Sequence, residues 1–211
     1  MYLTRIPLNV ERRDTVQALY SPNLLHGAVE ASFPGERERR LWRIDTLRGV
    51  TYLMILSAEQ PDLAHLQQQF GYPDQPGESK DYEPLLAKVT EGSVWHFRLA
   101  ANPTQSIAAS DPGERGTVKA ITVIAKQKEW LMEQADKHGF HLEESSFDVV
   151  STEWKRFQKG TAKGCPVTLL QAVFEGILVV TDAEQFTKTL VEGIGRGKAY
   201  GMGLMTVMKN A

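Results

Sequence analysis

Two hydrophobic periods alternate along the chain, one of about two residues and one close to four, as strands and helices require. Residues 2–10 form an apolar-rich run that predicts a first strand. Ser21-Pro22 opens a helix, with Ser as cap and Pro at the first helical position; Leu24, Leu25, Ala28 and Val29 then recur at helical spacing until Pro34-Gly35. Trp42, Ile44 and Thr46 alternate with Leu41, Arg43 and Asp45, and Arg48-Gly49 predicts the turn into a buried strand, Val50–Ser57. Asp62 starts a short helix through Phe70, and the Pro- and Gly-rich segment 71–80 reads as a loop.

The second half repeats the theme. Residues 93–100 alternate as a strand, 102–116 are loop-rich, and 124–138 form a helix stopped by Gly139. Residues 140–159 read as extended chain with a turn, and 167–181 (VTLLQAVFEGILVVT) give the strongest strand signal. Asp182 caps a helix over 183–191; a glycine-dense segment, 193–203, leads to a last strand at 204–208. The order β-α-β-β-α-β, read twice, predicts an α+β protein of two tandem ferredoxin-like folds, divided as 1–88 and 89–211.

Composition narrows the function classes. At 211 residues with 42% hydrophobic and 24% charged positions, the chain has enough apolar material for a core. No apolar run reaches the ~20 residues of a membrane helix, and the first residues lack the apolar core of a secretory signal, so a cytoplasmic protein without a membrane partner is expected. The single cysteine, Cys165, rules out an internal disulfide and a Cys-based metal site. The five histidines form no H-x-x-x-H pair, so neither metal nor other cofactor is expected. The net charge of −2 hides an asymmetry: residues 59–91 carry seven acids and two bases, residues 151–211 five acids and eight bases. Phosphate binding follows local cations, not the whole-chain average.

Gly193-Ile194-Gly195-Arg196-Gly197-Lys198 is not a P-loop, because Ala199 stands where Ser or Thr is needed and Glu192 where the first Gly is needed. It is not a dinucleotide fingerprint either, since Lys198 occupies the third glycine position and a helix precedes it. It is either a tight structural turn or a backbone cradle for phosphates, with Arg196 and Lys198 as cations. Trp154-Lys155-Arg156-Phe157-Gln158-Lys159, with Lys163 beyond, interleaves cations and aromatics, as a nucleic-acid contact or as a charged edge strand. His26 on the first helix, with Asn23 three residues before it, is a surface residue or an acid–base group.

The start MYLTRIPLN, LLHGAVEASFP around His26, FRLAANPTQS from Phe97, EWL at Glu129, and QAVFEGILVVTD followed by GIGRGKAYGMGLMTV resemble, in that order, the CRISPR repeat-RNA endoribonucleases of type I-E Cascade systems, the CasE family. The resemblance runs over residues 1–208. It implies metal-independent cleavage of precursor CRISPR RNA at the 3′ base of a repeat stem-loop, with the ribose 2′-OH as nucleophile. It also implies a partnership with other Cascade subunits in antiviral defence. The family's catalytic histidine maps onto His26. Asn23 stands where relatives often carry Tyr, with Tyr20 as a substitute, and Glu30-Ala31 stand where relatives often place a cation. Arg98, Gly195, Arg196, Gly197 and Lys198 carry over as RNA contacts; composition adds Arg115, Lys119, Lys155, Arg156, Lys159 and Lys163. The alternatives from other classes are an RNA-binding scaffold of the same fold that cuts weakly or not at all, and a small-molecule-binding regulator.

Overall fold

A computed structural model of the chain describes residues 1–35, 38–108, 116–158 and 165–209. The first sheet has four antiparallel strands: β1 (Tyr2–Pro7), β2 (Leu41–Leu47), β3 (Val50–Ser57) and β4 (Glu78–Asp81), in the order β2-β3-β1-β4. That order is the ferredoxin-like one, with β1 and β3 at the centre and β2 and β4 at the edges. β4 begins inside the segment expected as loop, 71–80, and runs one residue past it. Its sequence, ESKD, is polar, and pairing with β1 makes it a strand (Tyr2 opposite Asp81, Arg5 opposite Glu78).

Helices α1 (Arg13–Tyr20), α2 (Pro22–Ala31) and α3 (Leu63–Phe70) cover one face of this sheet, followed by a short α4 (Glu83–Leu86). Ile6, Leu53, Ile55 and Trp42 from the strands pack there against Ala18, Leu25, Val29, Leu66 and Phe70 from the helices. Alternation sends Leu41, Met54 and Leu56 to the opposite face, where they join the core of the second half. Asp62 caps α3 by accepting from the His65 amide at 3.1 Å. Ser21, expected to cap α2 in the same way, makes no side-chain cap bond; Pro22 alone marks that start.

The second sheet follows the same order, β11-β5-β10 and then an outer strand broken into two pieces. These strands are β5 (Val94–Ala101), β8 (Phe140–His141), β9 (Phe147–Gln158), β10 (Pro166–Val180) and β11 (Met205–Lys209). Both β8 and β9 pair with the long β10. β10 pairs with β5 only over Ala172–Val179, so its first residues are held by β9 alone, as a two-stranded ribbon. Helices α5 (Ile124–Lys137) and α6 (Ala183–Glu192) complete the unit, with Trp130 stacked on Phe174 and Asp182 capping α6 through the Gln185 amide at 2.9 Å. The stretch expected as loop between β5 and α5 holds a hairpin, β6 (Thr104–Ile107) paired with β7 (Thr117–Ala120).

Arg43 and Asp45 join the two sheets. Arg43 is 2% exposed and forks onto Asp45, with Nε donating to Oδ1 at 2.8 Å and Nη2 to Oδ2 at 2.6 Å. Its Nη1 donates to the backbone oxygens of Arg98 and Leu204, both at 2.8 Å, and its Nη2 to the Thr206 hydroxyl at 2.8 Å.

Candidate functional site

Burying Pro22, Leu25, Ala28 and Val29 fixes the rotation of α2 and leaves His26 on its partly open side, 23% exposed. One turn on, Glu30 places Oε1 4.0 Å from the His26 Nδ1. The other carboxylate oxygen of Glu30 accepts from Arg40 Nη1 at 3.2 Å. The Arg40 side chain is 5% exposed and lies over Phe33, with its guanidinium carbon 4.2 Å from the ring centre. One turn before His26, the Asn23 side-chain oxygen is buried and has no hydrogen-bond partner among the described residues. Tyr20 is the last residue of α1, a separate helix, and is 79% exposed.

The glycine segment reaches this helix from the other half. Gly193, Gly195, Gly197, Gly201 and Gly203 all have positive φ, and Lys198–Tyr200 form a single 3-10 turn. That turn packs against both α2 and β2. Gly201 shows why glycine is needed: its φ is +77°, and a Cβ there would stand 2.7 Å from the Trp42 ring. Arg196 is exposed and pairs through its backbone with Asn102 at the end of β5. Lys198 is half-buried, and its ammonium is held below the usual lysine range, chiefly by burial and then by Arg39, against an opposing pull from Glu192.

The ribbon approaches from a third direction, with β9 passing close to α1 and α2. Phe157 packs on Tyr200 with ring centres 4.8 Å apart, which ties the ribbon to the glycine turn. Arg156 is exposed, as is Trp154 at 46%, and Lys155 lies 2.5 Å from Glu153. A cleft of about 300 Å³ runs between the β6–β7 hairpin, the start of β10 and the glycine turn, lined by Thr104, Val118, Thr168, Arg196, Gly197 and Tyr200. Lys119 is exposed on the hairpin. Arg115, Lys159 and Lys163 lie outside the described residues.

Arg98 is placed apart from these groups. Its Nε donates to Asp45 at 2.9 Å and its Nη1 pairs with Glu175, so its guanidinium belongs to the network between the sheets. Glu30 and Arg40 stand beside His26 although neither is a candidate in the sequence reading. The signal for Glu30 was its i+4 spacing from His26, whereas Arg40 reaches it only through the bend of the following loop. Among the described residues no three His, Cys, Asp or Glu side chains gather as a metal set. No described helix is long and apolar enough to cross a membrane.

The arrangement thus sets a histidine and a carboxylate beside a cation-bearing backbone turn and a basic, aromatic ribbon. A model of the family described as CRISPR associated protein matches residues 1–209. CRISPR-associated endoribonuclease Cse3 of Thermus thermophilus is 30% identical over 220 residues, covering 98% of this chain and 99% of that one. The structure is similar to CRISPR endoribonuclease Cse3 bound to a 19 nt RNA, with a TM-score of 0.83 at 28% identity over 99% of this chain and 100% of the other. It is also similar to Thermus thermophilus Cse3 bound to an RNA representing a pre-cleavage complex, with a TM-score of 0.80 at 27% identity over 98% of both chains. Cas6e of Escherichia coli shares the fold at 19% identity, with a TM-score of 0.63 over the full length of both chains. Matched from end to end in sequence and in fold, the chain belongs to the CRISPR-associated CasE family, of which Cse3 is a member.

Proposed function

We propose that the chain is a metal-independent endoribonuclease that binds the CRISPR repeat stem-loop and cuts precursor CRISPR RNA at its 3′ base. The observation that carries this reading is the meeting of the His26 helix with the glycine turn, beside the basic ribbon. The ribose 2′-OH attacks the adjacent phosphorus, the bond to the 5′-oxygen breaks, and the products are a 2′,3′-cyclic phosphate and a 5′-OH. The nucleophile belongs to the RNA, so the protein supplies proton transfer and charge stabilisation. His26 takes the proton of the 2′-OH or delivers one to the leaving 5′-oxygen. Arg196, Lys119, Lys155 and Arg156 meet phosphates, and Trp154 offers a stacking face. An A-form stem is read by its shape and backbone, which suits a surface of turn, hairpin and ribbon. Arg98 serves the junction between the sheets. The division at residue 88, a cytoplasmic site of action and retention of the cut RNA within a Cascade complex belong to the same proposal.

A second reading, a scaffold that binds the stem-loop and cuts it slowly, is favoured by Asn23, which cannot donate a proton as an acid does. Repeat RNA incubated with the protein in EDTA separates the two. Fragments ending in a cyclic phosphate, absent with His26→Ala while the hairpin still binds, support the enzyme. Intact RNA in a stable complex supports the scaffold, and wild-type cutting by His26→Ala refutes the role of His26.

A further inference from the structure

We infer that Glu30, held by Arg40, is a positioning residue that sets the orientation of the His26 imidazole for cleavage. The inference rests on the reading of His26 given above. One carboxylate oxygen of Glu30 faces the His26 Nδ1 at 4.0 Å and the other accepts from Arg40 at 3.2 Å. The three side chains therefore form a line from ring to carboxylate to guanidinium. A separation of 4.0 Å is an ion-pair distance that closes to a hydrogen bond by a small rotamer change, and such bonds commonly tighten only when substrate is bound.

The far end of the line is rigid. The Arg40 side chain is 5% exposed and lies over Phe33, itself 6% exposed within the helix-side core. The near end is open, with His26 and Glu30 23% and 22% exposed. This is the order expected of a positioning chain: a buried anchor, an orienting carboxylate and a reachable acid–base group. A carboxylate that receives Nδ1–H fixes one ring tautomer and with it the nitrogen that exchanges protons with the ribose or the leaving oxygen. The place that relatives often fill with a cation holds instead an acid already tied to a cation.

Single-turnover cleavage of a repeat hairpin, hairpin affinity and the side-chain nitrogen-15 NMR shifts of His26 test the inference. The proteins compared are wild type, His26→Ala, Glu30→Gln, Glu30→Asp and Arg40→Lys. Glu30→Gln is expected to slow cleavage about tenfold or more, within the range of acid–base effects, with hairpin Kd changed less than about twofold and the His26 nitrogen shifts displaced. Glu30→Asp, which keeps the carboxylate, is expected to restore part of the rate, and Arg40→Lys, which loosens the hold on that carboxylate, is expected to slow cleavage and stands in for Glu30→Gln if that variant fails to fold. Glu30→Gln cutting at the wild-type rate, with His26→Ala inactive, overturns the positioning role alone. A fall in cleavage matched by an equal fall in affinity overturns it too, since it marks a structural effect. His26→Ala cutting at the wild-type rate overturns the function proposed above instead.

Discussion

Replacing Arg43 with Met is the sharpest perturbation available to the junction between the sheets. Arg43 makes five hydrogen bonds, and three of them reach the second half, at the Arg98 and Leu204 carbonyls and the Thr206 hydroxyl. Its partner Asp45 is 3% exposed. Without Arg43 this carboxylate keeps, among the described residues, only Arg98, whose guanidinium is shared with Glu175. Breaking a buried pair from one side costs about 3–5 kcal/mol, because the remaining charge cannot return to water. The apolar stem of Met retains some packing, which places Arg43→Met toward the lower end of that range. Equilibrium urea unfolding followed by tryptophan fluorescence measures it, with Trp42 reporting on the first core and Trp95 and Trp130 on the second. The double variant Arg43→Met with Asp45→Leu should recover at least about 1 kcal/mol relative to the single, since it removes the stranded charge. A loss below about 1 kcal/mol in the single variant would show that water or Arg98 compensates and would refute the reasoning. Hairpin affinity should fall in parallel, because the His26 helix and the glycine turn that packs on it belong to the two halves this junction joins.

Two further outcomes are expected. Arg196→Ala should weaken hairpin binding and lower the slope of log K against log salt by roughly 0.7–0.9, the value of one phosphate contact, and an unchanged slope would remove Arg196 from the backbone interface. Gly201→Ala should destabilise the protein by about 1–3 kcal/mol, since it adds a left-handed backbone penalty to a 2.7 Å approach on Trp42, and wild-type stability in a thermal melt would contradict that.

The elements legible in the sequence are those whose own residues impose a period. β3, α5 and β10 fall where their apolar spacing places them. α1 buries only Thr15 and Ala18 fully, with Leu19 partly inward, and has no capping side chain, so its helix depends on packing against α2 and α3. β4, β6 and β7 are polar strands that exist because a partner strand completes their hydrogen bonds. β2 misleads in another way. Its alternation suggests one wet face, yet Arg43 and Asp45 are as buried as Trp42, because the second sheet covers the side they occupy. The position of His26 on a helix was readable from Ser21-Pro22 and the apolar spacing behind it. The Glu30–Arg40 link was not, because a loop folds back to make it. The same limit holds for Arg98, whose motif suggests RNA and whose neighbours in space are two carboxylates.

The shared core also has a consequence for synthesis. Leu41, Met54 and Leu56 pack into a cluster whose other members include Leu99, Phe174, Leu190 and Met205. When residue 88 leaves the ribosome, the helix-side core can close, but that second apolar face has only Tyr82, Leu85 and Leu86 to lie against it. At ~5–20 residues per second, Met205 follows on the order of ten seconds later. During that interval the nascent chain is a half-finished protein with an adhesive face, and the last strand to be made is among those that seal it.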